Sequence, residues 1–441
     1  MARSAAHAGS LTLPADILPD TARVGASGHL EIGGCDVVDL AARHGTPLYV
    51  YDEASLRTRA RALVAALSGY PATAMVCYAA KAYCAPWLLR MVADEGLGLD
   101  VVSAGELHAA ARGGFPRERI FFHGNDKTPD EIELGIRERV ARFVVDNVEE
   151  IDRLAAVARA AGIRQPVLLR INPGVNVRTH GHLQTGALDS KFGFALASAD
   201  AAIARTGAQD SLDLVGLHAH IGSQLGDLSA YAESIDRLFD LARRTRLALR
   251  ELNIGGGFAV RYVPREASTN AAALAKELAA TVARAARSVG IAPPTLVIEP
   301  GRSLVAMAAV ALYRVGSIKE IPGVRTYVAV DGGMADNIRP TAYGAEYTAV
   351  LANRMNDPAS ATVAIAGRYC ESGDVLIREV ALPPPHVGDL VAIPVAGAYQ
   401  LAMASNYNMV PRPAVAVVAD GRARVVTRRE TYDDLLARDA L

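Results

Sequence analysis

The middle of the chain alternates short apolar runs with longer segments of mixed polarity. The eight apolar runs are residues 74–80, 98–102, 119–123, 141–145, 166–171, 214–221, 249–254 and 294–299. The segments between them place apolar residues at helical spacing, as in 231–244 and 270–290. Eight strand–helix repeats predict an α/β fold with a closed, TIM-like (β/α)8 barrel, and an open doubly wound sheet is the alternative.

Beyond Arg302 the apolar runs remain strand-like, but no long helical segment separates them. The last two runs flank Asp420 and Gly421, a pair typical of a two-residue hairpin turn. We therefore predict a second, mostly β domain at the C-terminal end. The predicted boundaries are 1–45 for an N-terminal segment that contributes to the β domain, 46–305 for the barrel and 306–441 for the β domain itself.

Three helices of the predicted barrel begin with capping sequences. Ser103, Thr128 and Asn147 each precede a glutamate by three residues. In a capping box, the first side chain bonds the backbone N–H of the glutamate and the glutamate bonds the N–H of the cap residue. We expect such a box at Ser103 and at Asn147, and at Thr128 a cap followed by proline at the first helical position and acidic residues in the first turn.

Composition narrows the class of protein. Of the 441 residues, 51% are hydrophobic and 21% charged, and the formal net charge is −1. No basic block is present to bind nucleic acid, and no apolar run reaches membrane-spanning length. The four cysteines are too scattered for a disulfide framework or a metal site. We expect a globular, cytoplasmic protein with no metal, nucleic-acid partner or membrane contact.

One lysine ends the first apolar run of the predicted barrel. Lys81 directly follows residues 74–80. A lysine in apolar surroundings is costly unless its amine is paired, neutralised or used covalently. Partial burial lowers the pKa of an amine, which makes it a nucleophile toward carbonyl groups. The alternative is an ordinary lysine whose ammonium reaches solvent beyond the end of a strand.

In a (β/α)8 barrel, functional side chains lie where each strand ends and its loop begins. Polar and reactive residues occupy most of these positions, namely Lys81, Asp100, Ser103, His123, Asn125, Asp146, Arg170, Asn172, His220, Ser223, Glu299 and Arg302. Ordinary strand ends would show mostly turn residues such as Gly, Asn and Asp. The pattern predicts an active site at this end of the barrel.

A phosphate site is indicated after the sixth and seventh strands. Gly255–Gly257 allow backbone N–H groups to approach an anion closely, although a tight turn is the alternative. Ser223 offers a hydroxyl donor. Glu299 and Arg302 share one short turn, where they either pair with each other or hold a ring nitrogen and an anion. With Lys81 they make up the parts of a pyridoxal-phosphate site.

The predicted β domain carries a second group of reactive residues. Cys370 and Glu371 lie in a loop between two strands, although a cysteine is more often buried in a core. Arg339 and Tyr343 lie in a polar stretch, and Tyr399 follows an apolar strand. An arginine in a loop usually faces solvent. Its functional interpretation is a clamp for the second carboxylate of a substrate with two acidic ends.

The order and content of these motifs identify a family. They are YAAKA (78–82), DVVSAGEL (100–107), KFGF (191–194), HIGSQ (220–224), GGGF (255–258), EPGRSLV (299–305), IRP with AYGAEY (338–347), CESGD (370–374) and GAY with SNYN (397–408). From about Thr46 to the C-terminus, the chain resembles the fold-type III, alanine racemase-like pyridoxal-phosphate decarboxylases. The resemblance implies a homodimer with shared active sites and decarboxylation of meso-2,6-diaminopimelate to L-lysine and CO2.

The resemblance also implies residue roles. The implied catalytic residues are Lys81, which bonds the cofactor, His220, which stacks on its ring, Glu299, which pairs with its ring nitrogen, and Cys370, a proton donor supplied by the other subunit. The implied cofactor-binding set is Lys81, Asp100, His220, Ser223, Gly255, Gly256, Gly257, Glu299, Pro300, Gly301, Arg302 and Tyr399. The implied substrate-binding set is Arg302, Arg339, Tyr343, Glu371 and Tyr399.

One departure and several alternatives accompany this interpretation. Many members have Asn two residues after the lysine, and this chain has Tyr83. A related decarboxylase acting on ornithine, arginine or a carrier-bound glutamyl group would share most of these motifs. A non-catalytic relative that binds the cofactor or a protein partner is disfavoured, because Cys370 is needed for turnover rather than for cofactor storage. The CESGD loop disfavours a racemase of similar fold.

Overall fold

The structure is a computed structural model, and it describes residues 13–175 and 190–440. The described chain divides into two compact units. The barrel unit contains the described residues of 59–259 and 269–303, and the β unit contains those of 1–58, 260–268 and 304–441. Each unit is described by itself below.

Eight parallel strands form the barrel unit's sheet. They are β5 (Ala74–Ala79), β6 (Gly98–Val101), β7 (Ile120–Phe122), β8 (Arg142–Val145), β9 (Gln165–Asn172), β11 (Leu212–His218), β12 (Glu251–Asn253) and β13 (Thr295–Ile298), with the two-residue β10 (Phe194–Ala195) beside β9. Each strand pairs with the next, β8 pairs with β9, and β13 pairs with β5. These pairings close the ring, so the predicted barrel is confirmed and the open sheet is excluded.

Inward-facing apolar side chains fill one end of this ring. The cluster draws on six strands and consists of Cys77, Phe121, Val144, Leu168, Val215 and Val297. Since side chains alternate along a strand, every second residue of each strand points into the barrel. These six residues are therefore an apolar core inside the ring.

Helices connect the barrel strands. They are α3 (Pro86–Asp94), α4 (Ala104–Gly113), α5 (Pro129–Arg137), α6 (Val148–Ala160), α7 (Leu196–Gly207), α8 (Ser229–Thr245) and α9 (Ala271–Ser288), while α2 (Glu53–Ala66) and α10 (Arg302–Val305) span the unit boundaries in sequence. The cap predicted at Thr128 is confirmed, and in the structure it is one half of a complete capping box with Glu131. Of the two hydrogen bonds in each box predicted for α4 and α6, the bond from the cap residue's N–H to the glutamate is wrong. Ser103 and Asn147 cap as expected, but Glu106 and Glu150 bond the N–H of Val102 and of Asp146 instead.

The β unit contains the remaining elements. They are β1 (Arg23–Val24), β2 (Leu30–Ile32), β3 (Cys35–Asp36), α1 (Val37–His44), β4 (Leu48–Asp52), β14 (Ala309–Ile321), β15 (Arg325–Val330), α11 (Arg339–Tyr343), β16 (Val350–Leu351), β17 (Ala361–Ala366), β18 (Val375–Leu382), β19 (Leu390–Pro394), β20 (Ala414–Ala419), β21 (Arg422–Thr427) and α12 (Tyr432–Leu436). β1–β3 form a small antiparallel sheet, and the main sheet runs β18-β17-β15-β14-β4-β20-β21. The second, mostly β domain is thereby confirmed.

Strand β4 is central in the main sheet of the β unit. It lies within the stretch that we assigned to the barrel domain, but it pairs with β14 and with β20. All five of its residues are buried, which suits a strand covered on both faces. The hairpin predicted at Asp420 and Gly421 is confirmed: β20 and β21 flank these residues, and both have positive φ, as a type I′ turn requires. None of the described helices combines the length and apolar character needed to cross a bilayer.

Candidate active site

Lys81 lies at the carboxyl end of β5, in a single helical turn formed by residues 80–82. The neighbouring Ala80 and Ala82 are buried, whereas Lys81 itself is exposed. The partial burial expected from the sequence is therefore wrong for this lysine. The hydroxyl of Tyr78 closes the turn by donating to the carbonyl of Tyr83 and accepting its N–H, at 2.8 and 3.1 Å. Tyr83 thus takes part in the turn through its backbone.

The turn at Glu299 packs beside the Lys81 turn. The carbonyl of Pro300 accepts the N–H of Ala79 at 3.2 Å. A Cβ placed on Gly301 would lie 3.2 Å from the Cβ atoms of Ala79 and Ala82. The lysine turn and the glutamate turn are thus in direct contact in the barrel unit. The predicted residues at the ends of β5 and β13 therefore come together.

The carboxylate of Glu299 is buried and held from two strands. Asn253 Nδ2 donates to its Oε1 at 2.5 Å, and His218 Nε2 lies 3.2 Å from its Oε2. Burial alone raises the pKa of this carboxyl group, but the imidazoles of His218 and His123 outweigh burial and hold its pKa well below the usual range. Glu299 is therefore an anion in the barrel interior, with the orientation of its two oxygens fixed.

The turn after β12 fits glycine for steric reasons. A Cβ on Gly256 would lie 1.8 Å from the carbonyl oxygen of Glu299, and one on Gly257 would lie 2.1 Å from that of Gly222. The N–H of Gly256 donates to His220 Nδ1 at 3.2 Å. Burial, with Lys81 as the next cause, holds the pKa of His220 well below its usual range. His220 is consequently a neutral ring beside a turn that only glycine can form.

Arg302 and Ser223 meet in the same unit. A guanidinium nitrogen of Arg302 donates to the Ser223 hydroxyl at 3.1 Å, and Arg302 is buried. The sequence left open an ion pair between Arg302 and Glu299, but in the described residues the side chains that contact the Glu299 carboxylate are those of Asn253, His218 and His123. A buried cation and a hydroxyl together form a site suited to an oxyanion.

A second polar cluster lies at the ends of β8 and β9. Arg170 lies 3.8 Å from Asp146 and stacks on the ring of Phe192 at 4.2 Å. Asp146 also accepts the N–H of Gly193 at 3.0 Å. This cluster anchors the KFGF motif to the barrel. The motif follows residues 176–189, which lie outside the described part of the chain.

In the β unit, Arg339 differs from the solvent-facing loop residue that its sequence context suggests. It begins the short helix α11, is only 5% exposed and bonds the hydroxyl of Tyr347 at 2.5 Å. Its guanidinium also lies over the ring of Tyr262, 4.9 Å from the centroid. Burial lowers the pKa of this guanidinium, but the two tyrosines raise it above the ordinary value. The tyrosine rings thus hold a permanent cation in place.

The CESGD loop joins β17 to β18. Cys370 is exposed, and its N–H donates to Asn408 Oδ1 at 2.9 Å. Asp374, at the other end of the loop, is buried and accepts the N–H groups of Met334 and Tyr369 at 2.6 and 2.9 Å. One buried carboxylate therefore fixes the loop that presents the thiol.

The remaining predicted residues of the β unit are more accessible. Glu371 is exposed, Tyr343 is 40% exposed, and Tyr399 is half-buried with a positive φ of 59°. A positive φ on a tyrosine is a strained conformation. Their role in substrate binding stays a prediction.

Three barrel residues at this site received no role from the sequence. They are His123, His218 and Asn253, whose side chains surround Glu299 and its neighbour Asp100. His218 precedes His220 by two residues, so strand alternation places both on the same face. Asn253 is likewise a polar residue in an apolar strand, two residues before Gly255. The spacing of two residues from His220 and from Gly255 was the sequence signal that could have identified His218 and Asn253 as site residues.

The chain matches known proteins along most of its length. The family model for the pyridoxal-binding domain of the pyridoxal-dependent decarboxylases matches residues 53–306. The diaminopimelate decarboxylase of Bacillus subtilis (strain 168) is 45% identical over 428 residues, covering 96% of this chain and 98% of that protein. The diaminopimelate decarboxylase of Actinosynnema pretiosum subsp. auranticum is 47% identical over 416 residues and 93% of both chains.

The solved structures that resemble this chain include diaminopimelate decarboxylases as well. The M. jannaschii diaminopimelate decarboxylase in co-complex with L-lysine has a TM-score of 0.90 at 35% identity, covering 96% of this chain and 98% of that one. The Helicobacter pylori diaminopimelate decarboxylase complexed with L-lysine has a TM-score of 0.84 at 30% identity, with 91% and 98% covered. A lysine/ornithine decarboxylase from Vibrio vulnificus, at 24% identity and a TM-score of 0.73, shares the fold.

Proposed function

This chain belongs to the pyridoxal-dependent decarboxylases and, within them, to the diaminopimelate decarboxylases, and from that premise we propose that it converts meso-2,6-diaminopimelate to L-lysine and CO2. One observation carries the proposal. A buried, ionised carboxylate, Glu299, lies on a turn that contacts the turn bearing the exposed amine of Lys81. An amine for a carbonyl and an anion for a ring nitrogen are the two groups that pyridoxal-phosphate chemistry requires.

The residues of the barrel unit fit pyridoxal phosphate. A side chain at Gly256 or Gly257 would collide with neighbouring backbone, so the glycines keep this turn narrow and let an anion approach it closely. Arg302 and Ser223 add a cation and a hydroxyl. When bound, the cofactor supplies a protonated ring that withdraws the electron pair released as the carboxyl group leaves. The proposed cofactor-binding set is Lys81, Asp100, His220, Ser223, Gly255, Gly256, Gly257, Glu299, Pro300, Gly301, Arg302 and Tyr399.

Each of the remaining steps is assigned to a residue of this chain. Lys81 would hold the cofactor through its amine, and this amine would become free again when the amine of the substrate takes its place. Glu299, as a fixed anion, keeps the ring nitrogen protonated. His220 is neutral and offers an uncharged ring surface. Cys370 returns a proton to the α-carbon after CO2 has left.

Arg339 supports a substrate with two carboxylates. Its guanidinium is a permanent cation held by Tyr262 and Tyr347. A fixed, planar cation selects a carboxylate at the distal end of the substrate better than a mobile surface lysine would. The proposed substrate-binding set is Arg302, Arg339, Tyr343, Glu371 and Tyr399. The M. jannaschii relative was solved with L-lysine, the product proposed here.

The active unit that we propose is a homodimer with two shared sites. The proposal rests on the family resemblance, which assigns Cys370 to the partner's site. The exposure of Cys370 supports it, because an exposed thiol is available to a second chain. The four cysteines are free, which supports work in a reducing, cytoplasmic compartment.

Turnover on candidate substrates tests the substrate. We expect CO2 release from meso-diaminopimelate to exceed that from lysine, ornithine and arginine by at least about a hundredfold in kcat/KM, since a missing distal carboxylate leaves the buried Arg339 unpaired. Preference for ornithine or arginine would replace the substrate assignment. No turnover on any of them by cofactor-loaded protein would favour a non-catalytic relative.

Chemical labelling tests the lysine separately. Borohydride reduction of the loaded protein fixes the cofactor to the amine that holds it, and peptide mapping locates the label. We expect the label on Lys81, because its amine is exposed while that of Lys127 is buried against Glu150. A label on Lys127 or Lys191 would overturn this assignment.

A further inference from the structure

A second histidine lies against Glu299, at the carboxylate oxygen that His218 does not contact. His123 Nε2 is 3.2 Å from Glu299 Oε1 and 3.5 Å from Asp100 Oδ1. His123 and Asp100 are each only 6% exposed. The rings of His123 and His218 meet edge to face, with centroids 5.0 Å apart. Two carboxylates and two imidazoles are thus enclosed together in the barrel.

The two imidazoles of this cluster differ in charge. Burial lowers the pKa of His123, but Glu299 and Asp100 outweigh burial and raise it to about 9. Burial lowers the pKa of His218 to about 4, since its single carboxylate partner does not offset that cost. At neutral pH His123 is therefore an imidazolium and His218 is neutral. Burial is the larger cause and repulsion from Glu299 the next, and together they raise the pKa of the Asp100 carboxyl group to about 7.

The other charged groups that act on this cluster come from neighbouring strands. Arg170 lowers the pKa of His218, and Lys81 lowers that of Asp100. Neither forms an ion pair with Glu299 in the described residues. Asn253, the remaining polar neighbour, is uncharged and bonds the same Oε1 that faces His123. His123 is consequently the cation in contact with the Glu299 carboxylate.

The position of His123 is set by its backbone. Its N–H donates to the carbonyl of Val101 at 2.8 Å, which joins the ends of β6 and β7. Its Nε2 lies between the two carboxylates without a well-aligned hydrogen bond to either, and Asp100 Oδ1 is likewise without one. The contact is therefore an ion pair shared by two acids. Such buried charges add little to stability, so a stabilising role alone explains them poorly.

We propose that His123 is a positioning residue for Glu299, an imidazolium fixed between Asp100 and Glu299 that holds Glu299 as an oriented anion toward the ring nitrogen of the cofactor. The inference rests on the proposed function, because it deepens the role of Glu299. His123 acts through Glu299, while Asp100 stabilises the charge on His123. Without His123, the buried Glu299 takes up a proton more readily and its pairing with the ring nitrogen weakens.

The charge of His123 can be read directly in the loaded enzyme. We would label histidine side chains with ¹⁵N and assign His123 by the loss of its signals in His123→Gln, or in His123→Asn if the first variant does not fold. We expect both ring nitrogens of His123 to be protonated at pH 7.5, with titration near pH 9, and His218 to be neutral. A neutral His123 ring at pH 7.5 would overturn the proposal.

Kinetics then test whether His123 acts through Glu299. We expect His123→Gln to lose kcat by about ten- to a hundredfold, the size typical when the outer partner of a site ligand is removed. The acid limb of its kcat–pH profile should move to higher pH. Glu299→Gln should lose more, and the double variant should be no worse than Glu299→Gln alone. His108→Gln, an exposed histidine on α4, is the matched control and should change nothing.

The outcomes separate this inference from the proposed function. If wild type does not release CO2 from meso-diaminopimelate, the proposed function fails, while the charge of His123 still has its own readout. If wild type is active and folded His123→Gln matches it in kcat and in pH profile, the positioning role is wrong. Independent, multiplicative losses in the double variant would likewise overturn it.

Discussion

At the scale of single residues, the glycine turn after β12 shows how close backbone packing restricts sequence. The carbonyl oxygen of Glu299 occupies the place that a Cβ of Gly256 would need. This oxygen is a backbone atom and not the flexible end of a side chain, so the backbone itself would have to move to make room for the Cβ. The same turn holds His220 by a backbone N–H. Substitution there should disturb both stability and the anion site.

We expect Gly256→Ala to lower the free energy of unfolding by about 2–3 kcal/mol and to reduce the content of bound cofactor. Gly207, the last residue of α7, has open space at its Cβ position and is a matched control in the same unit. Gly207→Ala should raise stability by up to about 1 kcal/mol. Denaturant unfolding and the cofactor absorbance measure both. Equal stability and equal cofactor content in the two variants would contradict the steric explanation.

Single residues also show what the sequence can and cannot predict about the site. Lys81, Glu299 and the glycine run could be recognised from their local sequence. Lys81 follows an apolar run, Glu299 shares a short turn with Arg302, and the three glycines are consecutive. His123 and Asn253 are far from Glu299 in sequence, and only closure of the barrel brings them to it. The burial of Arg339 was hidden for a similar reason, since the ring of Tyr262, over which its guanidinium lies, comes from a distant part of the chain.

At the scale of elements, the glutamates in the first turns of α4 and α6 bond the ends of the preceding strands. Glu106 and Glu150 were expected to close capping boxes, but each reaches back to a backbone N–H one residue before the cap. Glu150 can do so because the buried Lys127 holds its other oxygen at 2.6 Å. Local spacing predicted the helix starts. It did not predict the glutamate partners, because those depend on the end of the preceding strand.

The CESGD loop depends on a single acceptor, Asp374. Asp374→Asn replaces one carboxylate oxygen by an N–H₂ group that faces a backbone donor, so the N–H of Met334 or of Tyr369 loses its partner. An unsatisfied buried donor costs about 1–3 kcal/mol. We expect a matching loss of stability in denaturant unfolding and a lower kcat, because the loop also carries Cys370.

Ser372→Ala, on the exposed part of the same loop, is the matched control for Asp374→Asn. Its hydroxyl bonds only Glu371 among the described residues, so stability and kcat should stay near wild type. The loop explanation fails if Asp374→Asn also unfolds and turns over like wild type.

Glu430 links two segments near the C-terminus of the β unit. It accepts bonds from the side chain and N–H of Arg412 and from Asn406 Nδ2. Bonding to the Arg412 side chain lowers the pKa of Glu430 to about 2, against an ordinary value of 4.5. Because the folded-state pKa is depressed, this contribution is fully present above pH 4.5 and is lost as pH falls toward 2.

We expect Glu430→Gln to be less stable than wild type by on the order of 1 kcal/mol at pH 7, a value reduced by the solvent exposure of Arg412. The difference should shrink as pH falls from 4.5 toward 2, because Glu430 becomes protonated first in the unfolded and then in the folded wild type. Urea unfolding at several pH values measures it. Asp433→Asn, on the exposed face of α12, serves as the control, and a pH-independent difference for Glu430→Gln would contradict the linkage.

At the scale of the whole molecule, the eight repeats predicted the barrel, the lack of long helical segments after Arg302 predicted the β unit, and the family resemblance is confirmed. The alternation of apolar runs was sufficient because a closed barrel repeats one local pattern eight times. The β unit is different, since its main sheet joins β4 to β14 and to β20, which are hundreds of residues away in sequence. No local pattern encodes such pairings. The sequence therefore predicted the class of this unit but not its strand order.

The proposed homodimer makes a quantitative prediction for mixed variants. Lys81→Ala and Cys370→Ala should each be nearly inactive alone, since one lacks the amine that holds the cofactor and the other the proton donor. If each site takes Lys81 from one chain and Cys370 from its partner, a heterodimer of the two variants has one site with both lesions and one with neither. Equal mixing gives half heterodimers, so activity should return to about a quarter of wild type.

The control for that experiment uses the double variant. Lys81→Ala mixed with Lys81→Ala/Cys370→Ala leaves no site with a lysine and should stay inactive, whereas the first mixture recovers. Subunit exchange is followed independently, with differently tagged chains and co-purification, so that absence of activity is interpretable. Since Cys370 is exposed, its thiol is free to serve a second chain. If the tagged chains exchange and no activity returns, Cys370 acts within its own chain or has no part in turnover, and the shared-site dimer is wrong.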